Sequence, residues 1–373
     1  MKFSCLQENI SKGLNINSRI AGTSKTGLPI LNNILLSTEK GIVKLSTTNL
    51  EMAIETKIRA KIEEQGKITI PAQLLNNYID LLPNDEILNF ETIKNELTIQ
   101  SKNEKTKIKG IEAEDFPIIP QIESKEKYII KSSILKNALE KTIFAISPSE
   151  VRTELSGALF SFNMPTVNKL TIVATDSYRL TEKIIDLKKS TSKNKKNIIV
   201  PLKTLQEFLR IIKDKGEVEI HLSENQILFI YEETEIISRL ISGEFPNYQQ
   251  TIPEKFKTKI NINKEDFLNA VKRASFFTKL GINDINLKFL SEENQLIISS
   301  LNNQIGENET ILKTEINGDD NEIVFNYRYL VDGLMYLEGK EITLEIVNDD
   351  TPGIIKSVND KFYLYLIMPI KNN

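Results

Sequence analysis

The sequence predicts an α+β protein in which one domain plan is used three times. Two observations predict this. The first is a strand–helix unit written three times in a chain of 373 residues. Asn197 to Lys213 reads as a short strand, a proline and an amphipathic helix. Ile198 and Val200 alternate as a half-buried strand does. Pro201 sits where a helix starts, its missing N–H costing nothing there. Leu205, Leu209 and Ile212 recur on one helical face. Lys67 to Pro83 and Glu322 to Glu338 repeat the pattern. Ile68, Ile198 and Ile323 coincide, as do Ile70, Val200 and Phe325. Leu75, Leu205 and Leu330 follow, then Ile79, Leu209 and Leu334, then Leu82, Ile212 and Leu337. The offsets are 130 and 125 residues, too long for a solenoid repeat and the size of a domain.

The second observation is a recurring connector. Phe116-Pro117 in AEDFPIIPQIES is echoed 129 residues later by Phe245-Pro246 in GEFPNYQQTIP. Prolines make such segments stiff and extended. They set three domains at 1–124, 125–253 and 254–373, each long enough to bury its own core.

Within each domain the elements follow one order. The first opens with a helical pattern from Leu6 to Ile20, then the strands LNNILLST and GIVKLSTTNLEMAIETKI, turned at Glu39-Lys40-Gly41. After the strand–helix unit, three strands alternate between turns at Asn84-Asp85, Lys94-Asn95 and Lys102-Asn103. In the second domain Ser132 or Ser133 is placed to cap the helix ILKNALEKTIFAIS. TELSGALFSF and KLTIVATDSYRLTEKII follow as strands, and the lysine-rich Lys188 to Lys196 reads as a solvated loop. The third starts its helix at NKEDFLNAVKRASFF and ends on the strand KFYLYLIMPI. Each domain is thus two helices on one face of a mainly antiparallel sheet.

Composition narrows the function. Hydrophobic residues make up 40% and charged residues 27%, an ordinary soluble balance. No apolar run reaches membrane-spanning length, and the start lacks a secretion signal. The single cysteine, Cys5, fits a reducing cytoplasm. The net charge of −3 rules out gripping DNA by bulk charge, so either nucleic acid is not the partner or positive charge is confined to one surface.

Catalytic and cofactor motifs are missing. There is no GxxxxGK[ST] or GxGxxG, no CxxC or HExxH and no GxSxG elbow. The single histidine, His221, reads as a plain strand residue. Asp319-Asp320, Glu232-Glu233 and Asp349-Asp350 read as solvated pairs, since a dyad would need burial. A repeated fold without a catalytic constellation suggests a scaffold with no cofactor and no metal.

The polar helix faces carry modest positive charge. Lys203, Gln206, Arg210 and Lys213 form a stripe opposite the leucines; Arg328 begins the matching stripe of the third unit, which continues to Asp332. Other helices add Lys12, Lys136, Lys141, Lys272 and Arg273. These residues suit a wet helix face and a surface for phosphates equally. Phe276 and Phe277 are adjacent on a helix whose core stripe is already filled, so one of them is expected to be exposed.

Five segments carry a family resemblance: LPILNNILL (Leu28 to Leu36), LSTTNLEMAI (Leu45 to Ile54), VATDSYRL (Val173 to Leu180), GEFPNY (Gly243 to Tyr248) and MPI (Met368 to Ile370). In this order and over the whole length, the chain resembles the bacterial DNA polymerase III beta subunits, the sliding clamps. The resemblance implies domains of the DNA-clamp type forming half of a closed ring, and a head-to-tail homodimer that encircles double-stranded DNA without reading its sequence. It implies a cytoplasmic, non-enzymatic processivity factor. Lys25 and Arg152 join the DNA-facing set. The implied partners are the DNA polymerase III alpha subunit, the clamp loader, and other DNA polymerases and repair proteins carrying clamp-binding peptides.

The family's peptide pocket maps onto Leu155, Thr175, Ser177, Tyr178, Arg179, Leu180, Pro246, Gln250, Thr251, Asn326, Tyr329, Leu366, Met368, Pro369, Ile370 and Lys371. Asp176 is left out as a turn residue. Its dimer interface maps onto Thr106 and Ile108 on one side and Phe276 and Phe277 on the other. Ser177 and Tyr178 stand where the family often has Gly-His, and serine tolerates a left-handed backbone less well than glycine, so this loop is expected to sit differently. Two rivals remain: a monomeric adaptor of the same fold that does not encircle DNA, and a hydrolase using a carboxylate pair.

Overall fold

The computed structural model describes residues 1–24, 26–122 and 126–371. The predicted boundary at 124/125 and Lys25 lie outside the described residues. Among those residues are the helices α1 (Gln7–Asn17), α2 (Ala72–Asp80), α3 (Ser132–Thr142), α4 (Leu202–Ile211), α5 (Lys264–Ser275) and α6 (Tyr327–Tyr336). None is long and apolar enough to cross a membrane. All strand pairs assigned within the four sheets are antiparallel.

The chain divides into two compact units. The first holds Met1–Ser133, Lys188–Ser192 and Glu207–Leu240. It contains a five-stranded sheet, ending at the edge strand Lys105–Lys109, and a nine-stranded sheet. The nine strands run through both of the first two predicted domains, because Thr234–Arg239 pairs with Met52–Arg59, Thr234 opposite Thr56. Between the sheets and helices α1 and α2 sits a core that includes Phe3, Ile10, Leu14, Leu45, Leu75 and Phe90. Phe3 and Phe90 stack with ring centroids 4.5 Å apart. Cys5 is buried here, and burial pushes its thiol up to about 12, which makes it unreactive.

The second unit holds Ile134–Leu187, Lys193–Gln206 and the chain from Ile241 onward. Its nine-stranded sheet also crosses a predicted boundary, with Arg179–Asp186 paired to Tyr363–Ile367. A four-stranded sheet ends at the edge strand Gly306–Lys313. The core packs α5 and α6 through Phe267, Val271, Leu330 and Leu334 onto Ile285, Leu287 and Tyr365.

The threefold strand–helix unit is present as read. Its strands are Lys67–Pro71, Lys196–Pro201 and Asn321–Asn326, each leading directly into a helix. The aligned residues are buried in all copies except Leu209, which is only half-buried. Phe208 takes that place in the core, stacked on Phe229 at 4.5 Å between ring centroids.

Several expectations are corrected. A strand precedes the first helix of each repeat: Lys2–Leu6, Lys127–Lys131 and Thr258–Asn263. Five or six residues of alternation give little local signal, and their partners are remote in sequence. Ser132 and Ser133 are the first residues of α3, not a cap outside it. Asn263 does cap α5, its side chain accepting from Glu265 N at 2.9 Å and Asp266 N at 3.2 Å. The runs read as single long strands are each two. The first breaks at Asn49–Glu51, where Leu50 has φ 76° and Asn49 Oδ1 accepts from Met52 N at 2.8 Å. The second breaks at Asp176–Tyr178, between strands Lys169–Thr175 and Arg179–Asp186.

Candidate functional site

The second break builds the candidate site. Asp176 Oδ1 accepts from Tyr178 N at 2.9 Å and Arg179 N at 3.0 Å. This side-chain clasp is an Asx turn. Thr175 Oγ1 donates to Arg179 O at 2.7 Å and accepts from Ser177 N at 3.1 Å. Ser177 takes φ 78°, so serine here accepts the left-handed backbone that glycine holds freely. Its hydroxyl also accepts from Arg152 NH1 at 3.0 Å.

Arg179 organises the loop's surroundings. Its guanidinium donates to Asp176 Oδ2 at 2.9 Å, Asp332 Oδ2 at 2.5 Å and Phe144 O at 3.0 Å. Its Cζ lies 4.8 Å from the Tyr329 ring centroid and 5.5 Å from that of Phe144. Burial by itself would lower its pKa, but the hydrogen bond to Asp332 and the nearby Asp176 outweigh burial and hold it above the ordinary value. Tyr178 is 62% exposed and lies roughly parallel to Tyr329, ring centroids 6.4 Å apart.

The walls are apolar. Leu159, Val173, Leu180, Ile354 and Leu366 form a buried cluster. Phe245, Tyr248, Ile252 and Phe256 of the connector and Met368 of the last segment pack on it, each partly exposed. The connector is fixed by Tyr248, whose hydroxyl donates to Glu182 Oε2 at 2.5 Å. Burial, with the Glu182 carboxylate added, raises the Tyr248 pKa above its usual value. The last segment is anchored at both ends: Met368 N donates to Tyr178 O and Ile370 N to Val324 O, both at 2.8 Å.

The pocket residues expected from sequence therefore divide by role. Leu155, Thr175, Leu180 and Leu366 are buried and form the floor. Tyr178, Tyr329, Pro246, Met368, Pro369 and Ile370 are partly or largely exposed on the walls, and Gln250 and Thr251 lie exposed on the connector. Asn326 caps α6, accepting from Arg328 N at 2.9 Å. Lys371 and Ile370 border a cavity of about 390 Å³ with Glu322, Asp349 and Asp350. Asp176, set aside in the sequence reading, holds both the turn and Arg179. Phe144 was also missed, Asp332 was read only as part of a helix stripe, and of the aromatic connector residues only Phe245 and Tyr248 fell in a sequence signature, GEFPNY.

The DNA-facing set is dispersed. Lys12, Lys203, Arg210, Lys213, Lys272, Arg273 and Arg328 are exposed on or just beyond helices, and Lys136 is half-buried. Lys141 is a correction: it is 3% exposed, with Nζ 2.7 Å from Glu338 Oε1 and 2.9 Å from Asp360 Oδ2, so it is closed to phosphates. Arg152 is exposed but tied to Ser177 and Glu154 beside the peptide-pocket loop.

At the predicted interface, Phe276 is 75% exposed and Phe277 half-buried. Thr106 is half-buried, whereas Ile108 is 5% exposed and belongs to its own core. His221 is a strand residue whose Nε2 lies 2.5 Å from Glu219 Oε1. The three carboxylate pairs are exposed, and among the described residues no cluster of acidic, histidine or cysteine side chains could hold a metal.

Repeated strand–helix units on shared antiparallel sheets, with a partly exposed apolar cluster beside them, define a protein of the sliding-clamp class. The DNA polymerase III beta subunit family matches in three parts: its N-terminal domain at residues 1–120, its central domain at 129–247 and its C-terminal domain at 249–371. A beta sliding clamp from Synechococcus elongatus is 30% identical over 100% of this chain and 99% of its own length. One from Bacillus subtilis is 30% identical over 94% of each chain. The crystal structure of the DNA polymerase III beta subunit from Pseudomonas aeruginosa superposes with TM-score 0.94 at 26% identity, covering all of both chains. The Bacillus subtilis sliding clamp does so with TM-score 0.94 at 28% identity, again over both whole chains. The chain belongs to the DNA polymerase III beta subunit family and functions as a sliding clamp in DNA replication.

Proposed function

We propose that two copies of this chain close head to tail into a ring around duplex DNA, without sequence readout and without catalysis, in the cytoplasm. The domains are 1–124, 125–253 and 254–373. The observation that carries this reading is the apolar surface beside the edge strand Gly306–Lys313. Phe276, Leu301 and Ile305 are exposed there, and a Cβ on Gly306 would stand 3.6 Å from the Phe277 ring. Large exposed apolar side chains beside an open sheet edge suit a partner strand.

The edge strand Lys105–Lys109 of a second copy fits that edge. Its exposed side carries Lys105, Lys107 and Lys109, while Gly306–Lys313 exposes Glu307 and Glu309. Thr106 is then the residue facing Phe276 and Phe277, with Ile108 supporting it from the core. A closed ring keeps its DNA by topology, so weak and scattered positive charge on the helices is enough, and it permits sliding.

The apolar groove around Tyr178, Met368 and the connector receives leucine and phenylalanine anchors of short peptides. Such peptides come from the DNA polymerase III alpha subunit, the clamp loader, other DNA polymerases and repair proteins. The test is retention on nicked circular DNA followed by linearisation. A linked ring stays on the circle and runs off the linear form. Equal retention on both, or on neither, argues for the monomeric adaptor.

A further inference from the structure

We infer that one end of the nine-stranded sheet in the second unit, the end remote from the apolar cluster around Tyr178, is a docking surface for an acidic peptide segment of a partner protein that carries an aliphatic anchor. The surface is separate from the groove of the proposed function and does not depend on ring closure. Strand pairing fixes its place. Arg179 pairs with Ile367 and Lys183 with Tyr363, so Tyr178 and Met368 lie at one end of these two strands and Phe362 at the other. Lys169 pairs with Asp186 and Lys196 with Phe162, which brings the loops at residues 163–168, 193–195 and 358–362 to that same remote end. The length of strand Arg179–Asp186 puts about 23 Å between the two ends.

The surface is cationic. Lys193, Lys195 and Lys361 are exposed, and none has an ion pair among the described residues. Most carboxylates at this end are engaged: Asp186 pairs with Lys169 at 2.6 Å, and Asp360 lies between Lys141 and Lys183. Glu341 remains exposed beside Val358. The loops are anchored, which lowers the cost of ordering them on binding. Asn163 Nδ2 donates to Asn194 O at 2.8 Å, and Ile184 N donates to Phe362 O at 2.9 Å.

Apolar side chains lie among these charges. Phe362 is 54% exposed, Val358 47% and Val167 46%. Lys169 Nζ lies 4.9 Å from the Phe362 ring centroid, so an ammonium covers one face of the ring. From strand Lys196–Pro201 to strand Tyr363–Ile367 is four strand spacings, about 19 Å, the reach of about six extended residues. Carboxylates of such a segment complement the lysines, and an aliphatic side chain fits the valines and the edge of Phe362. A single DNA strand fits less well. Its bases need successive aromatic faces, and Phe362 is the only aromatic residue in these loops.

The experiment measures binding of a labelled peptide, glutamates around a central Leu-Leu pair, to the unsubstituted full chain and to variants. Lys193→Glu with Lys195→Glu and Lys361→Glu should weaken binding about tenfold or more, because exposed attractions become repulsions. Arginine at the same three positions should keep it, and Phe362→Ala should weaken it about threefold. None of these changes should alter binding of a peptide with leucine and phenylalanine anchors, which reports the groove beside Tyr178. Acidic-peptide binding that is absent in the unsubstituted chain, or unchanged in the glutamate variant, overturns the surface. Loss in the arginine variant overturns it too, by assigning the effect to the structure of the loops. So does tighter, lysine-dependent binding of oligothymidine, which makes the occupant a single DNA strand. Failure of the anchored peptide to bind the unsubstituted chain sinks the groove and leaves the acidic peptide to judge this surface.

Discussion

Arg179 and Asp332 are 153 residues apart and meet at 2.5 Å between NH1 and Oδ2. The pair ties the start of strand Arg179–Asp186 to α6, and so joins the second repeat to the third inside one unit. Arg179 is nearly buried and Asp332 is partly exposed, with side-chain exposures of 12% and 44%. Arg179→Met strands Asp176 and frees the loop that carries Tyr178. The expected loss is about 2 kcal/mol, below the 3–5 kcal/mol of a fully buried pair. Denaturant unfolding measures it. Binding of a labelled peptide with leucine and phenylalanine anchors should weaken in parallel.

Ser177 holds a left-handed backbone at φ 78°. Such a conformation costs a non-glycine residue about 1–2 kcal/mol, and its exposed hydrogen bond from Arg152 returns only part of that. Ser177→Gly should therefore stabilise the protein by roughly 0.5–1 kcal/mol. A drop in melting temperature would show that the Arg152 contact outweighs the backbone term.

Asp360 sits between two lysines, with Oδ2 2.9 Å from Lys141 Nζ and 2.6 Å from Lys183 Nζ. Burial would raise its pKa, but the two ammonium groups outweigh burial and hold it below the usual carboxylate value. A depressed carboxylate gives stability that is complete above its unfolded pKa of about 3.9 and is lost as pH falls through the lower folded value. Asp360→Asn should cost about 3 kcal/mol at neutral pH, because it takes the carboxylate from the nearly buried Lys183 and leaves the buried Lys141 with Glu338 alone. The difference should vanish under strong acid, which unfolding curves at several pH values can follow.

Gly333 faces Tyr365 so closely that a Cβ would fall 2.0 Å from its ring. The Tyr365 hydroxyl donates to Tyr329 O at 2.7 Å, so the ring cannot move without shifting the groove wall. Gly333→Ala should destabilise by about 1–3 kcal/mol and weaken the same labelled peptide. Normal peptide affinity in a folded variant would separate Tyr329 from the groove.

Phe276→Asp combined with Phe277→Asp places two charges on the proposed interface. Sedimentation should give the mass of one chain for the variant and of two for the parent. An intact dimer counts against this interface.

The sequence by itself determined the plan of the protein. Apolar residues at strand and helix periods are local signals, so the triplicated unit, its buried stripe and the exposed phenylalanine were all legible. What only the tertiary structure decided involves partners far apart in the chain. Strand pairing across repeats, Thr56 with Thr234 and Arg179 with Ile367, leaves no mark on the period of either strand. Lys141 carries the same charge in the sequence whether it faces solvent or Asp360, and only its packed surroundings assign it to the interior. Arg152 and Asp176 changed meaning for the same reason: a side chain's role is set by what folding brings within hydrogen-bond reach of it.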